Sequence, residues 1–165
     1  MSRREEILTA AEELLVERGP EALTMREVAA RLGIRAPSLY KHVHDKTDIE
    51  AGLQERALVD LAQHLNAAGP TVSDLAAVYR AWALAHPRLY ELTTRGPLHR
   101  DRLSAGVEAA AAAPIVRAVG GDEHKARALW ALAHGLTDLE LSGRFPPAAD
   151  LDATWRTALA VVEDS

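Results

Sequence analysis

The chain has 165 residues, 48% of them apolar and only 4% aromatic, with 19 Lys+Arg against 24 Asp+Glu and no Cys. That length suits about one domain, or a small unit beside a larger one. The formal charge of −5 excludes a protein that coats nucleic acid over its whole surface, and the absence of Cys excludes disulfide frameworks, thiol nucleophiles and cysteine metal sites. Alanine dominates the apolar set, which favours packed helices over sheets. The start, Met1-Ser-Arg-Arg-Glu-Glu, is not of signal-peptide type and no apolar run is long enough to span a bilayer, so the chain reads as soluble and cytoplasmic, with no membrane partner.

Ser2 followed by Glu5 has the form of a capping box, and behind it Ile7, Ala11, Leu14 and Leu15 share one helical face until Gly19-Pro20 ends the helix. Thr24 and Glu27 form a second such box and open a short helix, Met25 to Leu32, with Val28, Ala29 and Leu32 inward; Gly33 is its expected stop. A third short helix starts near Pro37, which suits a first turn, and runs to about His44. Asp45 then caps a longer helix carrying Ile49, Leu53, Ala57, Leu58, Leu61 and Leu65 as far as the break at Gly69-Pro70. Beyond it the pattern predicts helices near 71–86, 87–95, 101–118, 122–143 and 151–163. The alanine run 109–113 lies inside a helical pattern, and neither an alternating strand pattern nor a repeat period appears.

Charge is unevenly distributed. Residues 1–46 carry 8 basic and 8 acidic side chains, whereas 47–165 carry 11 and 16. Within 24–44, Arg26, Arg31, Arg35 and Lys41 face only Glu27, so a neutral N-terminal third contains one small basic segment and the rest is acidic. That segment is also where two short helices meet at a tight turn. Ala29, four residues before Gly33, is small enough for a close crossing, which is the geometry of a helix-turn-helix whose second helix enters the major groove. With Leu39 placed inward and about 100° per residue, Val43 lies about 40° away, while Pro37, Ser38 and Lys41 point outward and Tyr40 flanks them. Ser38 and Lys41 suit base edges or phosphate, and the Tyr40 hydroxyl suits phosphate oxygens. Arg35 lies in the turn, and Arg26 and Lys46 lie in first helical turns, where free N–H groups already favour a phosphate.

The segment ILTAAEELLVERGPEALTMREVAARLGIRAPSLYKHVHDKTDIEAGL resembles the N-terminal DNA-binding region of the TetR family of bacterial transcription regulators. The resemblance is carried, in order, by A-A-x-x-L-L before Gly19, by Thr24-Met-Arg-Glu-Val-Ala, by Leu32-Gly33-Ile34, by Ser38-Leu39-Tyr40-Lys41-His42-Val43 and by Asp45-Lys46 ahead of Leu53. It implies an all-α fold of about nine helices: a three-helix DNA-binding head, residues 1–46, and a C-terminal helical bundle for ligand binding and dimerisation, residues 47–165. It implies a homodimer formed through the helices near 122–143 and 151–163, bound to a near-palindromic double-stranded DNA operator. The family mostly represses transcription until a small molecule releases the dimer. By the same resemblance Arg35, Ala36, Pro37, Ser38, Tyr40, Lys41 and His42 contact DNA and Lys46 contacts phosphate, joining Arg26. In the body, Trp130, His134 and Gly135 spell W-x3-H-G and resemble the C-terminal subgroup named for that Trp-His-Gly signature.

Tyr79, Trp82 and His86 share one helical face, Trp130, His134, Thr137 and Asp138 share another, and Tyr90 and Thr93 lie between. Converging, they would line a site for a small apolar or amphipathic ligand; otherwise the aromatic stripes are core. Control by a protein partner, or by no ligand at all, is the alternative. The stretch Thr94-Arg-Gly-Pro-Leu-His-Arg-Asp-Arg is an exposed connector or a gate. Seven His invite a metal, but His42-x-His44 ends the recognition helix and no HExxH occurs. No phosphate loop and no nucleophile elbow is present, so neither a cofactor nor an enzyme activity is expected.

Overall fold

The computed structural model describes residues 2–163, and within them every regular element is helical. In chain order these are α1 (Arg3–Arg18), α2 (Met25–Arg31), α3 (Ala36–Leu39), α4 (Lys46–Ala67), α5 (Val72–Ala85), α6 (Pro87–Thr94), α7 (Val107–Ala118), α8 (Glu123–Leu141) and α9 (Leu151–Glu163), with short 3-10 turns at Pro20–Ala22 and Arg100–Arg102. The expected all-α architecture of about nine helices with an N-terminal helix-turn-helix is the one observed. No helix among the described residues is long and apolar enough to cross a membrane.

Two compact units divide the chain. The first holds the residues up to Leu58 together with Arg88–Val107; the second holds Val59–Pro87 together with the chain from Glu108 onward. Helix α4 is continuous across the division between Leu58 and Val59.

In the first unit α1 buries Ile7, Leu8, Ala10, Ala11, Leu14 and Leu15. Ser2 caps it by accepting the Glu5 N–H at 3.2 Å, and Thr24 caps α2 by accepting the Glu27 N–H at 3.2 Å. Each capping box forms by half only, because its carboxylate goes to a more distant cation: Glu5 to Arg56 of α4 at 2.5 Å, Glu27 to Arg18 of α1 at 2.7 Å. A charged partner makes the stronger hydrogen bond, so the guanidinium wins over the cap's neutral N–H. Arg31 likewise turns back onto Glu13 and Glu17 of α1. Helix α2 stops at Gly33, whose φ of +65° lets the Ile34 N–H close on the Ala29 carbonyl at 3.0 Å.

Two helices are shorter than their patterns predict. The third was expected to reach about His44, yet α3 ends at Leu39, where the His42 and Val43 N–H groups both close on the Leu39 carbonyl. The His44 N–H is accepted instead by Asp48 at 2.9 Å, and Asp45 accepts the Asp48 N–H at 2.7 Å, so the start of α4 takes the backbone that a longer α3 would need. The helix expected from 101 begins at Val107, because Gly106 sits at φ +85° and Glu55 accepts the Ser104 N–H at 3.1 Å.

In the second unit α5, α8 and α9 pack on one another. Their buried faces carry Leu75, Ala76, Tyr79, Trp82 and Ala83 from α5, Ala126, Leu129, Ala133 and Thr137 from α8, and Trp155 and Leu159 from α9. A complete capping box, Thr71 with Asp74, starts α5. Arg80 joins the three helices: its Nε and Nη2 each donate to Glu140 at 2.8 Å, its Nη1 donates to Asp152 at 2.7 Å, and its guanidinium lies 5.5 Å from the Trp155 ring centre. The Glu140 hydrogen bonds, above all, hold the Arg80 pKa above its usual value. With the Glu140 side chain only 14% exposed, removing its cation leaves a mostly buried carboxylate unpaired. Arg80→Met is therefore expected to cost about 2 kcal/mol of unfolding free energy, read from the denaturant midpoint at constant slope.

Candidate nucleic-acid interface

The second helix of the motif and the turn after it are held by two anchors and left open on their other side. Leu39 and Val43 are buried, whereas Arg35, Pro37, Tyr40, Lys41 and His42 are exposed and Ala36 and Ser38 are half-buried. Pro37 in the first turn suits its fixed φ and its missing N–H. Pro37 and Ser38 stand on α3 itself, whereas Tyr40, Lys41 and His42, which the wheel places on the same helix, follow its end in the turn that the Leu39 carbonyl closes.

What separates these cations from the rest is their lack of internal partners. Arg18 and Arg31 are tied to glutamates of the same unit. The Arg35 and Lys41 side chains have no ion pair or hydrogen-bond partner among the described residues. Arg26 has a side chain 89% exposed and reaches Glu27 only at 3.6 Å. An anion arriving at Arg35 or Lys41 has no existing bond to displace, so both charges are available to phosphate or to the acceptor edge of guanine.

The first turn of α4 borders this surface in sequence. Lys46 is half-exposed and lies 3.3 Å from Glu50. Asp45, one residue earlier, receives both terminal nitrogens of Arg102, at 2.6 and 3.1 Å. That bidentate pairing, with the Asp48 N–H adding to it, holds the Asp45 carboxyl below its usual pKa. Arg4 reaches Asp48 at 3.2 Å. His42 and His44 are exposed, and the described residues contain no cluster of His, Asp and Glu able to hold a metal.

Gln54 went unnoticed in the sequence. It is 2% exposed; its Nε2 donates to the carbonyls of Leu92 at 3.0 Å and Pro97 at 3.1 Å, and its Oε1 accepts the His99 N–H at 3.1 Å. All three partners lie on α6 or the connector after it, and no local pattern announces them.

The candidate ligand residues are distributed over different surroundings. Tyr79, Trp82 and Thr137 lie in the α5–α8–α9 core. The Trp82 indole donates to Asp60 at 2.6 Å, and the half-buried His86 packs against Trp82 with ring centres 5.3 Å apart. Tyr90 is buried within the first unit. Trp130 is 49% exposed and stacks on His134 at 5.8 Å on α8. A Cβ at Gly135 would meet nothing within 4 Å, so no neighbouring element of this chain requires the glycine.

Among the described residues, two buried polar atoms in the second unit have no hydrogen-bond partner: the Thr137 hydroxyl and the Trp155 indole N–H. The contrast with other helical threonines is direct, since Thr93, Thr94, Thr154 and Thr157 each bond a carbonyl four residues back. Thr137 makes no such bond.

Comparison with known proteins covers both units. Residues 7–53 match the family model described as bacterial regulatory proteins, tetR family, and residues 72–162 match the one described as tetracyclin repressor-like, C-terminal domain. An uncharacterized HTH-type transcriptional regulator of Mycobacterium tuberculosis is 31% identical over 154 residues, which cover 85% of this chain and 71% of that protein. The tetracycline repressor protein class D of Escherichia coli is 46% identical over 61 residues, 37% of this chain and 27% of its own length. Among solved structures, the regulatory protein SCO4313 superposes with a TM-score of 0.80 at 25% identity, covering 98% of this chain and 95% of that one.

Proposed function

The chain belongs to the tetR family of bacterial regulatory proteins and is a helix-turn-helix transcriptional regulator, and from that premise we propose that it is a homodimeric repressor which a small molecule releases from its operator. The observation that carries the reading is the pair of outward cations with unpartnered side chains, Arg35 just before α3 and Lys41 just after it, on a segment anchored by Leu39 and Val43. In this reading Arg35, Ala36, Pro37, Ser38, Tyr40, Lys41 and His42 enter the major groove, while Arg26 and Lys46 hold the flanking phosphates. Residues 1–46 act as the reading head and 47–165 as the sensing and dimerising body.

Dimerisation through α8 and α9 is supported by apolar side chains that the chain itself leaves outside: Trp130 at 49%, Leu139 at 42% and Val161 at 69% exposure. On α8 the open space at Gly135 suits the close approach of a partner helix. A two-fold dimer sets two recognition helices about one turn of DNA apart, or a multiple of it, which calls for a near-palindromic site.

Ligand control is supported by the unbonded Thr137 hydroxyl and Trp155 N–H inside the body. Native proteins rarely leave such groups unsatisfied, and a bound apolar molecule carrying one or two polar atoms supplies their partners. Thr137→Val keeps the shape and removes the hydroxyl; it is expected to leave operator binding unchanged and to raise the effector concentration needed for release about tenfold. Titration of the DNA complex with an effector found by screening checks this.

The reading as a whole is tested by a mobility-shift titration of the DNA flanking the protein's own coding region, at two salt concentrations, beside random DNA. Binding that is tight, selective and weakened by salt supports it. Binding to every probe tried, genomic fragments included, that is no tighter than to random DNA overturns it.

A further inference from the structure

The start of α4 is an awkward place for a phosphate. Asp45, Asp48 and Glu50 flank Lys46 in the sequence, the residue proposed to hold one. Each carboxylate has a cation brought from elsewhere or from its own helix: Arg4 lies 3.2 Å from Asp48, and Lys46 lies 3.3 Å from Glu50 with His99 at 3.7 Å. Asp45 depends on Arg102, which comes from the connector after α6 and covers both carboxylate oxygens. Asp101 also approaches Arg102, at 4.0 Å, but it is 82% exposed and makes only this long contact.

We propose that Arg102 is a positioning residue for DNA binding: by neutralising Asp45 it lets the first turn of α4 accept a phosphate, and operator affinity follows the placement of the connector. The inference rests on the operator-binding reading above and adds to it a residue outside the helix-turn-helix. Asp45 cannot move aside, because the same carboxylate accepts the Asp48 N–H at 2.7 Å and so caps α4. With Arg102 gone, a bare negative charge stays beside Lys46, inside the ~10 Å over which charges act in dilute salt. The connector is itself tied down at three points, by Gln54 to Pro97 and His99 and by Glu55 to Ser104. Any change that frees it withdraws Arg102 and exposes Asp45 to the DNA backbone. This makes the connector an electrostatic control on the phosphate site, acting without displacement of the recognition helix.

The test measures operator affinity of the full chain carrying Arg102→Gln, Asp45→Asn or both, at low and at moderate salt. Asparagine still caps a helix, so the double variant removes the charge and keeps the α4 start. Arg102→Gln is expected to weaken binding about tenfold at low salt, and by less as salt rises. Adding Asp45→Asn is expected to recover most of that loss, and Arg102→Lys, which keeps the charge without the fork, to retain most of the affinity. Arg102→Gln binding like the parent protein would overturn the proposal. So would a double variant as weak as Arg102→Gln alone, since that result assigns Arg102 a purely structural role. Failure of the parent protein to bind any DNA selectively refutes the operator reading itself and is recognised before a variant is made.

Discussion

Replacing Arg35 and Lys41 together by alanine is expected to lower operator affinity about 100-fold or more and to leave the helical fold intact. Neither cation bonds another described residue, so removing them breaks no internal contact, and Leu39 and Val43 still anchor the turn and helix. The loss should also change the character of binding. If one of the pair sits on phosphate, the slope of log affinity against log salt falls by about one unit for each phosphate contact removed. If the other reads a base, discrimination at one operator position relaxes while the slope holds. Single variants separate the two roles, with circular dichroism confirming that the helices remain. An unchanged affinity in the double variant would mean that α3 is not the reading helix.

The second large effect concerns stability. Gln54→Ala is expected to destabilise the protein by about 4 kcal/mol, because it strands the carbonyls of Leu92 and Pro97 and the N–H of His99 in one step. That is a large share of the 5–15 kcal/mol that typically holds a domain folded. Gln54→Leu makes the diagnosis specific. It fills nearly the same volume, yet the three backbone groups remain without partners, so it should cost almost as much. If leucine were well tolerated, the side chain would be acting as filler. Thermal and denaturant unfolding of the two variants decide between these accounts. Hydrogen exchange at His99 would show whether the connector loosens first.

The two results concern different scales of information, and the sequence is unequally legible on them. Helix-turn-helix geometry depends on neighbours: Ala29, Gly33, Leu39 and Val43 lie within fifteen positions, and periodicity alone orients them correctly. The capping signals at Ser2 and Thr24 were readable for the same reason, though the destinations of Glu5 and Glu27 were not, since these lie on other helices. Asp45 was legible as a cap and illegible as the partner of Arg102, 57 residues away. Gln54 shows the limit most clearly, as it stands beside Leu53 with nothing local to mark it as buried. Trp130 shows a different one. Helical spacing places it with His134 and Thr137 on a common face but does not say how far each is covered: Thr137 is fully buried, whereas Trp130 stays 49% exposed.

The central claim is that two copies of this chain read DNA through α3 and the turns on either side of it, from Arg35 to His42. A footprint of the full-length protein on its selected operator tests it most directly. The account predicts two protected major-groove segments related by a two-fold axis, with centres about 34–36 Å apart along the duplex or a multiple of that. It also predicts that Arg35→Ala and Lys41→Ala remove protection in both segments at equivalent positions. One isolated protected segment, or a pattern indifferent to those substitutions, would contradict it.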